Sequence, residues 1–214
     1  MEKIDFKKKY KDLYQPKTKP SIVTVPNMRF IMVDGIGDPN TSEDYRNACQ
    51  ILYGLSYTIK MSKMNNTQPE GYYEYVIPPL EGLWSVDDDS FRGQKKIENK
   101  DKFIWTIMIR QPEFVTQEVF EVAKEVLHKK KPNLNLDLAR LVDWEEGLCA
   151  QIMHIGPYDD ELDTIQILNA FIKDSGYQPD ISVLRKHHEI YLSDPRKTDP
   201  KKLKTVIRHP IKPI

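Results

Sequence analysis

The chain has 214 residues, enough for one large domain or two small ones with a core that needs no staples. Lysine plus arginine number 32 and aspartate plus glutamate number 32, so no net field draws the protein to nucleic acid or to an anionic membrane. Cys49 and Cys149 stand far apart and suit free thiols, no run approaches the ~20 apolar residues of a membrane span, and the charged N-terminus lacks a signal-peptide core; together these predict a cytoplasmic protein.

Residues 1–20 are polar, basic and broken by proline, and read as an arm, so the folded part is expected from Ser21 to residue 214. "SIVTV" and "RFIMVDG" read as two strands. After them Thr41 with Asp44 resembles a capping box, and Tyr45, Ala48, Cys49, Leu52, Leu55 and Ile59 recur at helical spacing. "GYYEYVI", "GLWSV" and "KFIWTIMIR" are rich in aromatic and β-branched residues and predict three antiparallel strands. A second helix runs from about Thr116 to Lys130, with cations at its C-terminal end.

"ARLVDWEEGLCAQIMHIG" predicts a hairpin turning at Glu145, Glu146 and Gly147. "DDELDTIQILNAFIKDSG" is a helix with Leu162, Ile165, Leu168 and Ile172 inward and Gly176 near its C-cap. "HHEIYLS" and "KTVIRHP" complete the chain as strands. The order strand, long helix, strands thus occurs twice, with Ile36-Gly37 matching Ile155-Gly156 ahead of the two long helices. That repeat predicts a pseudo-two-fold α+β domain with half-repeats at about 21–111 and 112–214.

In "HHEIYLS", His187, Glu189 and Tyr191 share one face, and His188, Ile190 and Leu192 the other. Glu74 in "YYEYVI" holds a comparable position in the first half. With both long helices on one face of the sheet, the opposite face at the repeat junction would collect Glu189, Glu74 and aromatics. A carboxylate among rings is costly to desolvate unless hydroxyl or N–H groups bond to it, and such a group can orient a cation or serve as general base. The alternative is a wet sheet face on which Glu189 pairs with a lysine or arginine.

Tyr53, Tyr57, Tyr72, Tyr73, Tyr75, Trp84 and Trp105 offer either core packing or a stacking wall for a flat ligand. Glu81, in "PLEGLW", is a second candidate carboxylate whose context reads as a turn. Other motifs carry no chemistry. "GIG" at Gly35–Gly37 lacks a third glycine, "HHE" lacks the helical histidine spacing of a metalloprotease, Asp87–Asp89 has no calcium-loop spacing, and no serine sits in a nucleophile elbow. Neither a metal nor an organic cofactor is called for by these residues.

"PPLEGLW" (78–84), "HIGPYDDE" (154–161) and "HHEIYLSDP" leading to "KTVIRHPI" resemble the GyrI-like small-molecule-binding proteins, in their standalone form without a DNA-binding domain. The resemblance runs from about Ser21 to Ile211. It implies duplicated β-α-β-β (SHS2-like) units, helices on one face of an antiparallel sheet, and a ligand groove at the repeat interface with a carboxylate at the position of Glu189. Some similar standalone members hydrolyse cyclopropanoid DNA-alkylating toxins. Carried over, this gives Glu189 the orienting and partial deprotonation of water, Tyr191 or Tyr158 a hydrogen bond to the developing oxyanion, and Tyr57, Trp84 and Trp105 the stacking surface. Tyr73, Glu74, Glu81 and His154 are further candidate ligand contacts. The expected partner is an aromatic small molecule, with no nucleic acid or membrane; a drug-sequestering module and a protein-binding, gyrase-inhibitor-like domain are the rival functions.

Overall fold

The computed structural model describes residues 3–85 and 100–214, so Asp87–Asp89 lie outside the described residues. Two short helices, α1 (Phe6–Lys9) and α2 (Lys11–Tyr14), precede β1 (Ser21–Ile36), α3 (Glu43–Met61), β2 (Leu80–Ser85) and β3 (Ile104–Arg110). Then come α4 (Gln117–Lys130), β4 (Ala139–Ile155), α5 (Glu161–Asp174), β5 (Tyr177–Pro179), β6 (His187–Tyr191) and β7 (Lys204–Pro213). The strands pair antiparallel in the order β4-β1-β3-β2-β6-β7, and β7 returns to β4, closing a barrel to which β5 is appended. Closure leaves no long free edge among the described strands.

Alternation along each strand divides the core. Phe30, Met32, Met108, Cys149, Ile190 and Val206 fill the barrel. Their neighbours Ile31, Val33, Ile107 and Ile109 point outward and are buried by Ala48, Ile51, Leu52, Leu55 and Ile59 of α3. Leu168 and Ile172 of α5 cover Ala150, Ile152 and Ile207 in the same way. The strands therefore read as unbroken apolar runs because both of their faces are covered. Each such side chain, fully buried, contributes roughly 1.5–3 kcal/mol of transfer free energy.

Serine 42 caps α3, its hydroxyl accepting from Tyr45 N–H, one residue later than the spacing of Thr41 and Asp44 predicts. Thr116 caps α4 as expected. Gly37 and Gly156 each leave a strand with positive φ, +112° and +145°, a conformation that favours glycine. Gly37 N–H bonds to Phe103 O and Gly156 N–H to Leu203 O, the residues just ahead of β3 and β7.

Five expectations differ from the structure. The two strands expected at 21–36 are one, and the hairpin expected at Glu145–Gly147 is a single strand paired with β1 from Ser21↔Gln151 to Val33↔Ala139. Glu146 is not at a turn because its side chain is drawn into the barrel by His188 and Arg208. "GYYEYVI" is not a strand but makes one bridge, Tyr75 to Ile4, with Tyr72 and Tyr73 packed on Phe114. The folded part starts ahead of Ser21, since Phe6, Leu13 and Tyr14 are buried and Arg110 lies over the rings of Phe6 and Tyr10.

The fifth difference concerns the faces. The Glu189 face of β6 is the outer one, shared with α3 and α5, and the face opposite the helices is the barrel interior. Both cysteines are free thiols, and no described helix is long and apolar enough to cross a membrane.

Candidate functional site

The outer surface of β2 and β6 lies between the starts of α3 and α5, and its centre is Glu189. Glu189 keeps 13% of its side-chain surface exposed. Its Oε1 faces His187 Nε2 at 3.0 Å, and its Oε2 accepts from the Tyr191 hydroxyl at 2.8 Å. Tyr191 in turn accepts from the Trp84 indole N–H at 2.9 Å. Behind His187, its Nδ1 lies 2.8 Å from Nε2 of the buried His209. The strand period of two places His187, Glu189 and Tyr191 side by side, so both carboxylate oxygens are held by their own strand neighbours.

Gly82 is the cross-strand partner of Glu189. Because it has no side chain, Trp84 and Tyr191 meet in the space above it, where a Cβ would stand 2.6 Å from Trp84 Nε1 and 3.1 Å from the Tyr191 oxygen. Aromatic rings wall this recess. Tyr45, from the first turn of α3, stacks on Trp84 at 6.1 Å and meets Trp105 edge-on at 5.2 Å. Phe103 meets Trp84 edge-on at 5.4 Å, and Tyr158 meets Tyr191 edge-on at 5.6 Å.

On the α5 side, Glu161 opens the helix, buried to 7% exposure, and its Oε1 has no hydrogen-bond partner. One ligand atom each of Glu161, His187 and Glu189 lies within 4.8 Å of the others. Burial and then the Glu189 charge raise the Glu161 carboxyl well above the usual carboxylate range. The same two causes push the Tyr158 hydroxyl up to about 12 and the Tyr191 hydroxyl well above its ordinary value. These phenols are neutral donors near neutrality. Since Tyr191 gives its one proton to Glu189, Tyr158, 37% exposed, is a more accessible hydroxyl to face a bound molecule.

Of the residues singled out by sequence, Glu189, Tyr191, Tyr158 and Trp84 come together here, and Trp105 lies fully buried beneath Tyr45 as support. Tyr57 is 50% exposed further along α3, with Lys60 over its ring. Tyr73 donates to Glu113 at 2.6 Å and Glu74 pairs with Lys63; neither is a partner of the Glu189 cluster. His154 staples the turn ahead of α5 through Thr164 Oγ1 and Pro157 O. Tyr45, Glu161, His187, His209 and Gly82 are the additions. Tyr45 stands in the apolar stripe of α3 and Glu161 in an acidic run at a helix start, patterns that read as packing and capping.

Glu81 belongs to a different constellation, since its neighbours Gly82 and Trp84 are outside and it points into the barrel, away from the recess over Glu189. Its oxygens accept from the Tyr14 hydroxyl at 3.2 Å and lie 3.0 Å from His188 Nε2. His188 Nδ1 faces Glu146 at 3.0 Å, and Arg208 donates to Glu146 Oε2, Gln151 Oε1 and Leu13 O. Both ring nitrogens of His188 meet carboxylates, so an imidazolium satisfies both; with Arg208 it balances Glu81 and Glu146. This closed set holds the N-terminal segment in the barrel mouth.

The profile of the GyrI-like small molecule binding domain matches residues 18–212. An uncharacterized conserved protein from Listeria innocua is 48% identical, with a TM-score of 0.92 over 98% of this chain and 100% of its own. A hydrolase from Listeria innocua, also 48% identical, gives 0.89 over the same shares. The EcmrR C-terminal domain, 11% identical with a TM-score of 0.50 over 92% of this chain and 98% of its own, shares the fold alone. Comparison with curated proteins returns no significant match.

Proposed function

The chain belongs to the GyrI-like small-molecule-binding domain family, and on that premise we propose that the recess over Glu189 binds a planar hydrophobic molecule and hydrolyses a strained cyclopropane ring of the cyclopropanoid toxin type. One observation carries the reading: a carboxylate fixed at both oxygens yet partly open to solvent, ringed by Tyr45, Trp84, Tyr158 and Tyr191. The relatives that are 48% identical include one described as a hydrolase, which supports a reaction rather than binding alone.

In the proposed step, a water held by Glu189 attacks the ring carbon as its proton passes toward the carboxylate. The cyclopropane C–C bond breaks, its electron pair flows through the conjugated dienone to the carbonyl oxygen, and Tyr158 donates to that oxyanion. Protonation of the phenolate completes the addition of one water, with no redox partner. General-base help and a placed donor fit this charge movement. Mass spectrometry of a cyclopropanoid toxin incubated with the protein tests the reading: a product heavier by one water supports it, and unchanged toxin at stoichiometric enzyme removes it.

A second reading, a drug-binding module without turnover, is favoured by the carboxylates of Glu189 and Glu161 lying among aromatic rings, which suits an organic cation. Tight binding of a planar cation that Glu189→Gln abolishes, with no hydrated product from any toxin, would favour it. We also read the two halves as duplicated β-α-β-β units acting in the cytoplasm without nucleic acid. The duplication is supported by the pairings, which are unchanged when β1, β2 and β3 are exchanged for β4, β6 and β7, and by the like bonds of Gly37 and Gly156.

A further inference from the structure

We propose that Glu161, His187 and Glu189 form a binding site for one divalent first-row transition cation. The proposal stands without the toxin reading. Two carboxylates and one imidazole nitrogen form a mixed oxygen and nitrogen donor set, and their ligand atoms all lie within 4.8 Å of one another. With metal–ligand bonds of about 2.1 Å, ligand atoms are separated by about 3.4 Å at a tetrahedral angle and by about 4.2 Å when opposite each other. The His187 Nε2 to Glu189 Oε1 separation is 3.0 Å, so small side-chain shifts seat a cation among the three.

The second observation is Glu161 itself, a buried carboxylate with Oε1 unpartnered, on the first residue of α5 beside Glu189. A positive charge between the two carboxylates removes their repulsion, and it could be a proton or a metal ion. A shared proton would join their oxygens at about 2.5–2.7 Å, the range of a charged O–H···O bond. Three donor atoms, from Glu161, His187 and Glu189, converge within 4.8 Å, and a set of three suits an ion where a shared proton would use two. Outer contacts of the kind that orient metal ligands are already in place, His209 on His187 Nδ1 at 2.8 Å and Tyr191 on Glu189 Oε2 at 2.8 Å.

A bound cation and a general-base Glu189 are alternative states of one carboxylate, so loading is expected to inhibit the proposed hydrolysis. Calorimetry with zinc chloride on the full chain should give one site, weakened at least tenfold by Glu161→Gln and by His187→Gln. Cobalt-loaded wild-type protein, which needs no variant to fold, should show a paramagnetically shifted, slowly exchanging imidazole N–H resonance from His187, lost on adding zinc. Zinc affinity unchanged by Glu161→Gln, or no shifted imidazole resonance at stoichiometric cobalt, would overturn the proposal. Neither readout uses the toxin, so this site and the hydrolase reading fail separately.

Discussion

Gly82 faces Glu189 across the β2–β6 ladder, and the space left by its missing side chain is where the Trp84 indole N–H meets the Tyr191 hydroxyl. Gly82→Ala places a methyl 2.6 Å from Trp84 Nε1, so the indole or the phenol must move and the clamp on Glu189 Oε2 loosens. Overpacking of this kind costs about 1–3 kcal/mol. A lower thermal midpoint together with at least tenfold weaker binding of a planar aromatic ligand is the expected result. Binding and stability equal to wild type would show that the contact over Gly82 positions nothing.

Glu189→Gln keeps the shape of the side chain and removes its charge and basicity. Turnover of a cyclopropanoid toxin should fall about 10²- to 10⁴-fold while the affinity for the uncharged toxin changes little. Single-turnover kinetics beside equilibrium binding separate the two quantities. An equal fall in both would assign Glu189 to ligand recognition instead of proton transfer.

The period of two in "HHEIYLS" is enough to put His187, Glu189 and Tyr191 on one face, and the structure has them there. Which face that is depends on barrel closure, a relation among β4, β7, β2 and β6 that no local pattern carries. Glu81 illustrates the loss. Its Pro-Leu-Glu-Gly setting reads as a turn, yet pairing with β3 and β6 makes it a strand and turns Glu81 into the barrel toward His188 and Tyr14. Two acidic residues and a glycine likewise hide the continuation of β4 through Glu145–Gly147, because Glu146 finds its partners on β6 and β7, far away in sequence. The three long helices are legible because their apolar stripes are local, whereas α1 and α2 lie in the stretch read as an arm.

Tyr14 donates to Glu81 inside the barrel, from a helix that carries buried Leu13. Tyr14→Phe keeps the ring and removes the donor, leaving that carboxylate oxygen short of a partner. The cost should be about 1–3 kcal/mol, the range for an unsatisfied buried polar group. Chemical denaturation should show a lower midpoint with an unchanged slope, since the same surface is exposed on unfolding. A midpoint equal to wild type would mean that the Tyr14–Glu81 bond adds nothing to the hold on the N-terminal segment.

The barrel-interior charges predict a pH signature with a definite sign. Burial works against the Glu146 carboxylate, but the charges and hydrogen bonds of His188 and Arg208 win and hold it at about 2, below its ordinary 4.5. Its contribution is therefore present above pH 4.5 and is lost as pH falls toward 2. His188 has the opposite sign. Burial lowers it, yet the Glu146 charge and the hydrogen bonds of Glu146 and Glu81 raise it above its ordinary 6.5, so its contribution is whole below 6.5 and is lost as pH rises through the raised value. His209, held neutral by burial and His187, works against folding as pH falls below 6.5, and His188→Gln leaves that effect in place. The difference between wild type and His188→Gln isolates the contribution of His188. Urea unfolding of both proteins from pH 5 to pH 9 should show the largest gap at the acidic end, shrinking steadily above pH 6.5. A gap that is constant across the range, or that widens with pH, would mean that His188 is not held as an imidazolium between the two carboxylates.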